Sequence, residues 1–568
     1  MTLSEVFPHD WLVVIMDTDT KETHVIVNDR KKLIQLYEQN KNNIWCGYNS
    51  RHYDQYIFKG ILLGLDPYKI NKHIIVDNEP GWKYSNDFRT IQLYNYDVMT
   101  SYHSLKQLEG FMGNDIRESE VNFDTNRKLT PEELEKVIRY CKHDVEQTIE
   151  VFLNRLEEFE SHMSLLKAFK LPLNHISKTK PQLSAIILGA VRQDHDDEFD
   201  ITIPDNLKII KYKHVVDWYK DPANRDYSKR LETEIAGVSH TFAWGGLHGA
   251  IDQYHGEGIF IKVDVASYYP AIMIEYGFLS RNVADPGKFR EIRDMRLKLK
   301  AEGNPMQKPY KIVLNSTYGA MKDKYNPLYD PLMANNVCVT GQLLLLDLIE
   351  HLEPYSQLIQ SNTDGLFIKI QKEDDLEVIK NICKEWEERT KMTLEFDMFT
   401  KIFQKDVNNY IIIHEDGTYE SKGAYVKKLN NLDYDLPIVN KALVEYFING
   451  TPVEEIIMNC NDLKEFQFIA RASSKYKGLK HGNKILSEKT VRVFASKDKS
   501  DPGIAKINSR DGLEKIAGSP ERCFIVNGDI NGKRIPRKLD REWYVKVARE
   551  RIHDFLGTSD QVSIWELI

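Results

Sequence analysis

The sequence is poor in several things, and each shortage excludes a class of protein. Its 568 residues hold only six cysteines, at 46, 141, 338, 383, 460 and 523. None forms a C-x-x-C pair or shows ligand-like spacing, which argues against a zinc or iron–sulfur site and leaves them as reduced thiols. No run reads as a membrane span, and the first residues lack the basic-then-apolar pattern of a secretory leader, so no membrane partner and a cytoplasmic location are expected. Positive charge is not in excess: the net charge of −8 excludes a protein that coats nucleic acid through bulk basicity. Repeats and low-complexity tracts are absent too. What remains is ordinary globular composition, 42% hydrophobic and 29% charged, in a chain long enough for several domains.

One stretch organises the rest: residues 263–270, Val-Asp-Val-Ala-Ser-Tyr-Tyr-Pro, between apolar runs at 258–263 and 271–274. Asp264 falls where a buried strand breaks into a turn. A carboxylate there, with the Val265 carbonyl beside it, makes half a site for a hard cation such as Mg²⁺; a turn-capping Asp is the plain alternative. About fifty residues on, Lys311, Asn315 and Tyr318 fall at i, i+4 and i+7 of a helical pattern ending at Gly319. An ammonium, an amide and a phenol on one face suit a polyanion and a base. The preceding helical run, 289–300, is broken by Gly303 and Pro305, so the two helices form an antiparallel hairpin. That hairpin is expected to gather Arg296, Lys300 and Lys311 on one side as a triphosphate clamp. Further on, Ser361-Asn-Thr-Asp364-Gly365 lies between two strand-like runs as a polar hairpin turn, with Asp364 at its tip.

In this order the three pieces resemble the polymerase motifs of family B DNA polymerases, the group that includes small phage replicases. Asp264 to Pro270 looks like the first motif, Lys311 to Gly319 the second and Ser361 to Gly365 the third, with Asn362 where an Asp is usual. The resemblance implies a DNA-directed DNA polymerase using two Mg²⁺ ions, held by Asp264, Val265 and Asp364, with dNTPs and primer-template DNA as partners. Such ions, about 3.5–4 Å apart, activate the attacking hydroxyl and stabilise the leaving oxygen. Tyr269 is then expected under the incoming sugar, selecting deoxynucleotides, with Arg296, Lys300, Lys311 and Asn315 around the nucleotide.

Residues 1–160 alternate strand and helix patterns and resemble the proofreading 3′–5′ exonuclease domain of the same polymerases. Asn49 to Asp54 looks like its second motif, Tyr140 to Asp144 its third, and Ser104-Leu105-Lys106-Gln107-Leu108 its single-strand-binding segment. The first motif, Asp-x-Glu, keeps Glu5 but has Leu3 in place of the Asp. The lost carboxylate predicts weakened exonuclease metals and crippled proofreading.

Other positions fit the same resemblance. Gly245 and Gly246 look like a template-contact element with Ala243 in place of its Tyr, and Tyr410 and Lys422 look like primer contacts, with Asn408 in place of a Lys. Between 471 and 500, nine Lys and Arg, among them Arg471, Lys475 and Lys477, face only Glu488 and Asp498, a basic stretch suited to DNA phosphates. The fold expected is a multidomain α/β chain: an RNase H-like exonuclease domain (1–160), a connector (161–235), then a right hand of palm (236–285), fingers (286–320), palm again (321–430) and thumb (431–568). It is expected to act in DNA replication as a monomer, with replication accessory proteins, in the host cytoplasm if phage-encoded. Short gaps between the three motifs disfavour protein priming. The rival readings, an exonuclease lacking synthesis or a non-catalytic DNA-binding scaffold, call for an intact first exonuclease motif or for loss of Asp264 or Asp364. Neither is seen.

Overall fold

The computed structural model describes residues 1–557, and its chain divides into two compact mixed α/β units. The first comprises residues 1–178, 429–438 and 458–544; the second comprises, among the described residues, 179–428, 439–457 and 545–557.

In the first unit, strands β1 (Thr2–Val6), β2 (Trp11–Met16) and β3 (Thr23–Val27) form an antiparallel meander. Strands β4 (Ile44–Gly47) and β5 (Tyr94–Asp97) pair in parallel. Along β1 burial alternates with the pleat, so Leu3 and Glu5 share one face while Ser4 turns to the other. The long helix Pro131–Asn154 starts as its sequence dictates: the Thr130 hydroxyl accepts from the Glu133 N–H, Pro131 follows, and two acids sit in the first turn. Helix Leu105–Met112 has a second capping box, made by Ser104 and Gln107.

The stretch expected to form one thumb does not stay together. Residues 458–544 belong with the first unit, and Arg492 shows why. It is fully buried, and its guanidinium donates to Gln467 Oε1 and to the carbonyls of Val526, Gly528, Gly110 and Asn114, at 2.7–3.2 Å. Gly110 lets this layer approach, since a Cβ there would lie 2.8 Å from Ile469 Cδ1.

The second unit is built on a nine-stranded, wholly antiparallel sheet. Its strands are β6 (Arg230–Ile235), β7 (Val238–Ala243), β8 (His248–Ala250), β9 (Tyr254–Val265), β10 (Ser356–Asn362), β11 (Gly365–Ile370), β12 (Leu394–Asp406), β13 (Asn409–Ile413) and β14 (Tyr419–Lys422). The spatial order is β14-β13-β12-β9-β11-β10-β8-β7-β6. The long interior strand β9 therefore lies between β11 and β12. Its even-numbered face buries Phe260 among Phe367, Phe399 and Tyr410, then carries Lys262 and Asp264 toward the strand end. Helices Gly287–Ala301 and Gln307–Lys322 form the expected antiparallel hairpin. Helix Pro331–Leu352, with 22 residues, is long and apolar enough to cross a membrane by length and composition alone, and 94% of its most apolar window is buried inside the protein. A helix packed on every side is apolar all round, and this one also buries Asn335, Asn336, Gln342 and Asp347.

Candidate active site

Strand pairing brings the two acidic motifs together. Asp264 on β9 lies opposite Gly365 of β11 and Glu395 of β12, and the Val265 N–H donates to the Asp364 carbonyl at 2.8 Å. Asp364 is exposed at the tip of the hairpin, whose turn is the two residues Thr363–Asp364. Asn362, in place of the usual acid, keeps a turn-forming task, since its Oδ1 accepts from the Thr363 N–H at 2.9 Å. Burial raises the Asp264 carboxyl above its ordinary range; Lys262 opposes this and the nearby Asp364 charge adds to it. Two carboxylates whose charges repel at a strand end, one still 40% exposed, form a donor set suited to a divalent ion with open coordination positions.

Lys262 was not legible as a site residue. Its ammonium lies 3.4 Å from Asp264 and 3.0 Å from Glu420. Only its place two residues before Asp264, on the same strand face, could have signalled it. Glu395 was missed for the same reason, being set by cross-strand register.

The helical hairpin presents Lys311, Asn315 and Gly319 on an exposed face, but the three-cation clamp is not assembled as expected. Arg296 is buried, donating to the Ser267 hydroxyl, with its Nε left without a partner. Lys300 lies 3.3 Å from Glu395. The two basic side chains therefore reach the Asp264 strand-turn and its neighbour β12, because i and i+4 on this helix face the sheet as well as the partner helix. Tyr269 packs against Tyr318 with ring centroids 4.3 Å apart, and burial raises the Tyr269 phenol. Beneath them Gly341 has no room for a side chain free of contact, since a Cβ would lie 3.3 Å from the Tyr269 ring.

The remaining residues of this unit frame the same place. A Cβ on Gly246 would fall 2.7 Å from Thr363 Oγ1, so this glycine permits close approach to the Asp364 hairpin. The Gly245 carbonyl accepts from Gln342 Nε2 at 2.8 Å. Tyr410 pairs with Lys422 across β13 and β14 and packs its ring 5.2 Å from Phe367.

In the first unit, Glu5, Asp54 and Asp144 converge. Asp54 opens helix Asp54–Leu63 and accepts from the Ser4 N–H at 2.8 Å; burial pushes its carboxyl up to about 7. Glu5 is raised well above its ordinary range by burial, then by the Asp144 and Asp54 charges. Tyr140 is raised as well, by burial and then by Asp144. Leu3 offers this cluster no carboxylate; its carbonyl faces Cys141 Sγ at 3.8 Å. Asn49 is exposed with φ +58°, in the left-handed region that Asn tolerates. Ser104 caps its helix and Leu105 is buried.

Of the basic stretch, Arg471 donates to Gln107 Oε1 at 2.7 Å, Lys477 pairs with Asp511 at 2.6 Å, and Lys475 is exposed beside Tyr476. Arg492, counted with them by charge, is an interior residue. Among the described residues, two groups of three potential metal ligands bring ligand atoms within 4.8 Å of one another: Glu109, His143 and Asp144, all buried, and the more exposed Asp397, His414 and Glu420.

No family model matches the chain. It is similar to proteins named DNA polymerase 1 from Saccharolobus solfataricus (27% identity over 229 residues, 36% of this chain and 24% of that protein). A second such protein, from Aeropyrum pernix, matches at 23% identity over 414 residues, 64% of this chain and 40% of its own length. The chain thus matches less than half the length of these curated relatives. Among solved structures, the family B DNA polymerase of the archaeon Pyrobaculum calidifontis aligns over 97% of this chain and 75% of its own. The identity is 15% and the TM-score 0.42, a likeness that carries no argument by itself.

Proposed function

We propose that this chain is a family B DNA-directed DNA polymerase that adds deoxynucleotides to a primer 3′-hydroxyl on a DNA template. In this reading the first unit is a 3′–5′ exonuclease fold whose hydrolysis is impaired at Leu3. The observation that carries the proposal is the meeting of Asp264 and Asp364, a hundred residues apart in sequence, across adjacent strands. The names of the curated relatives support the same activity.

Asp264, the Val265 carbonyl and Asp364 are the groups that would hold two Mg²⁺ ions; when bound, such ions lower the pKa of the primer hydroxyl and neutralise the leaving pyrophosphate. The protein's own residues orient the reactants. Lys311 and Asn315, exposed on one helix face, are placed to bind triphosphate oxygens, and Arg296 and Lys300 add positive charge beside the Asp264 turn. The Tyr269 ring, held by Tyr318 and Gly341, offers a rigid apolar floor for a sugar lacking a 2′-hydroxyl. Gly245, Gly246, Tyr410 and Lys422 are assigned to the template and primer strands, and Lys475 to DNA phosphates.

Primer extension with Mg²⁺ tests the proposal, comparing dNTPs with rNTPs on DNA and RNA templates. Extension restricted to dNTPs on DNA, and lost with Asp364→Ala while DNA binding persists, is expected. Full-rate extension by that variant, or none by the unaltered chain, overturns the reading; degradation alone would favour an exonuclease, and binding alone a scaffold.

A further inference from the structure

The carboxylates of the first unit already have a cation. The Lys106 ammonium lies 2.5 Å from Asp144 Oδ1 and 3.1 Å from Glu109 Oε1, and 4.7 Å from the centre of the Tyr140 ring. Its side chain is only 11% exposed and that of Glu109 not at all. Four acids (Glu5, Asp54, Glu109 and Asp144) crowd this interior, and Leu3 adds none. Asp144 and Glu109 both lie within ion-pair reach of the Lys106 ammonium. The other carboxylate oxygen, Glu109 Oε2, is buried with no hydrogen-bond partner. A buried carboxyl oxygen without a hydrogen-bond partner is costly unless a cation is near.

His143 completes the group. Its Nε2 lies 3.7 Å from Glu109 Oε1 and 3.0 Å from the Asp115 carbonyl. Ligand atoms of Glu109, His143 and Asp144 all fall within 4.8 Å of one another. Two ligands of one ion at about 2.1 Å can be no more than about 4.2 Å apart. The His143–Glu109 pair, 3.7 Å apart, already lies within that span, and a divalent ion would draw the three atoms closer together, with His143 released from Asp115. What stands in the way is Lys106: an ammonium and a divalent ion cannot share the gap between Asp144 and Glu109.

We propose that Lys106 is the resident cation of this cluster, taking the charge-neutralising place of a divalent ion at Asp144 and Glu109, and that its removal opens a site for one divalent cation at Glu109, His143 and Asp144. The first unit is accordingly indifferent to divalent ions while Lys106 is present. The inference stands on the geometry of this unit and needs no DNA synthesis, so its failure and that of the polymerase reading are distinguishable.

The test uses the full chain carrying Asp264→Asn and Asp364→Asn, which silences the other acidic pair, with Mn²⁺ binding followed by electron paramagnetic resonance. Adding Lys106→Met is expected to create one Mn²⁺ site per chain, at least tenfold tighter than any in the parent, and Glu109→Gln on top of it to abolish that site. Lys106→Arg, which keeps the charge, is expected to gain none. Removing Lys106 also leaves the carboxylates uncompensated, so thermal unfolding is measured alongside. Lys106→Met should melt lower than the parent in EDTA and recover by several degrees in Mn²⁺, while the parent does not shift. Equal Mn²⁺ binding by parent and Lys106→Met, or a folded Lys106→Met that binds none, overturns the proposal. So does a Lys106→Met chain too unstable to fold in EDTA that Mn²⁺ fails to rescue.

Discussion

Gly365 lies directly across from Asp264 in the β9–β11 pair, and a Cβ at Gly365 would fall 2.1 Å from Asp264 Oδ1 and 2.9 Å from the Val263 carbonyl. The hairpin carrying one acidic motif is thus shaped around the side chain of the other. Backbone geometry does not demand this glycine, because its φ is not positive; the close approach does. Gly365→Ala should push the Asp264 carboxylate out of place without unfolding the sheet. A misplacement of about 1 Å at a reacting centre costs on the order of 10²-fold. We expect primer extension by Gly365→Ala to fall by about that factor, with melting temperature and primer-template affinity near those of the unaltered chain. Unchanged extension would show that the Asp264 position is not what the hairpin protects.

Lys262 bears on the same carboxylate. Its ammonium is shared between Asp264 and Glu420, so it opposes the upward push that burial gives the Asp264 carboxyl while competing weakly with any divalent ion there. Lys262→Met removes a charge that lowers the Asp264 pKa. The acidic limb of the extension–pH profile should then move to higher pH, and Lys262→Arg should restore it. A profile that does not move in Lys262→Met would leave Lys262 with a packing role only.

Tyr269 packs on Tyr318 with ring centroids 4.3 Å apart, and a Cβ at Gly341 would come within 3.3 Å of its ring. A ring that cannot yield makes a steric filter. Tyr269→Val should raise the use of rNTPs relative to dNTPs by roughly 10–200-fold in kcat/KM, the scale of one packed contact in a pocket. Steady-state kinetics with matched nucleotide pairs decide this; an unaltered ratio would place the sugar elsewhere.

How far the sequence could be read follows from which interactions are local. The Thr130 cap, the helical hairpin broken at Gly303 and the Asp264 strand end are written in neighbouring residues, and the hairpin and the strand end are present where expected. Register is not local: that Glu395 faces Asp264, or that Lys262 bridges to Glu420, depends on which strands become neighbours. Charge counting was the weakest guide. It grouped Arg492 with Lys475, although one is sealed inside and the other exposed, because a run of basic residues says nothing about which way each side chain points across a strand. The burial of Arg296 against Ser267 was not legible either, its helix periodicity being compatible with facing the solvent or the Asp264 turn.

Arg492 gives that lesson a measurable form. It is held by six acceptors with no carboxylate among them, and burial lowers its pKa to about 10. Arg492→Met strands those acceptors and should destabilise the first unit by about 3–5 kcal/mol, the range for breaking a buried charged network. Lys475→Met should change stability by no more than about 0.5 kcal/mol and instead reduce the salt dependence of DNA binding by about one unit of slope. Denaturant titration together with a salt series of affinities separates the two. An Arg492→Met chain as stable as the parent would return this residue to the DNA-facing surface.

Asp54 makes the stability of the first unit depend on pH in a definite direction. In the folded protein burial keeps its carboxyl protonated up to about pH 7, against an ordinary value near 3.8. Between those two values the unfolded chain binds fewer protons than the folded one, so stability falls as pH rises through that window. The slope for one such group is at most about 1.4 kcal/mol per pH unit, and it flattens below pH 4, where both states hold the proton. Asp54→Asn keeps an acceptor for the Ser4 N–H and removes the ionisable group. Denaturation midpoints at pH 5, 6 and 7 in EDTA should therefore fall more steeply for the unaltered chain than for Asp54→Asn. Parallel slopes would mean that the Asp54 carboxyl is ionised in the folded protein, with a counter-charge close enough to offset its burial.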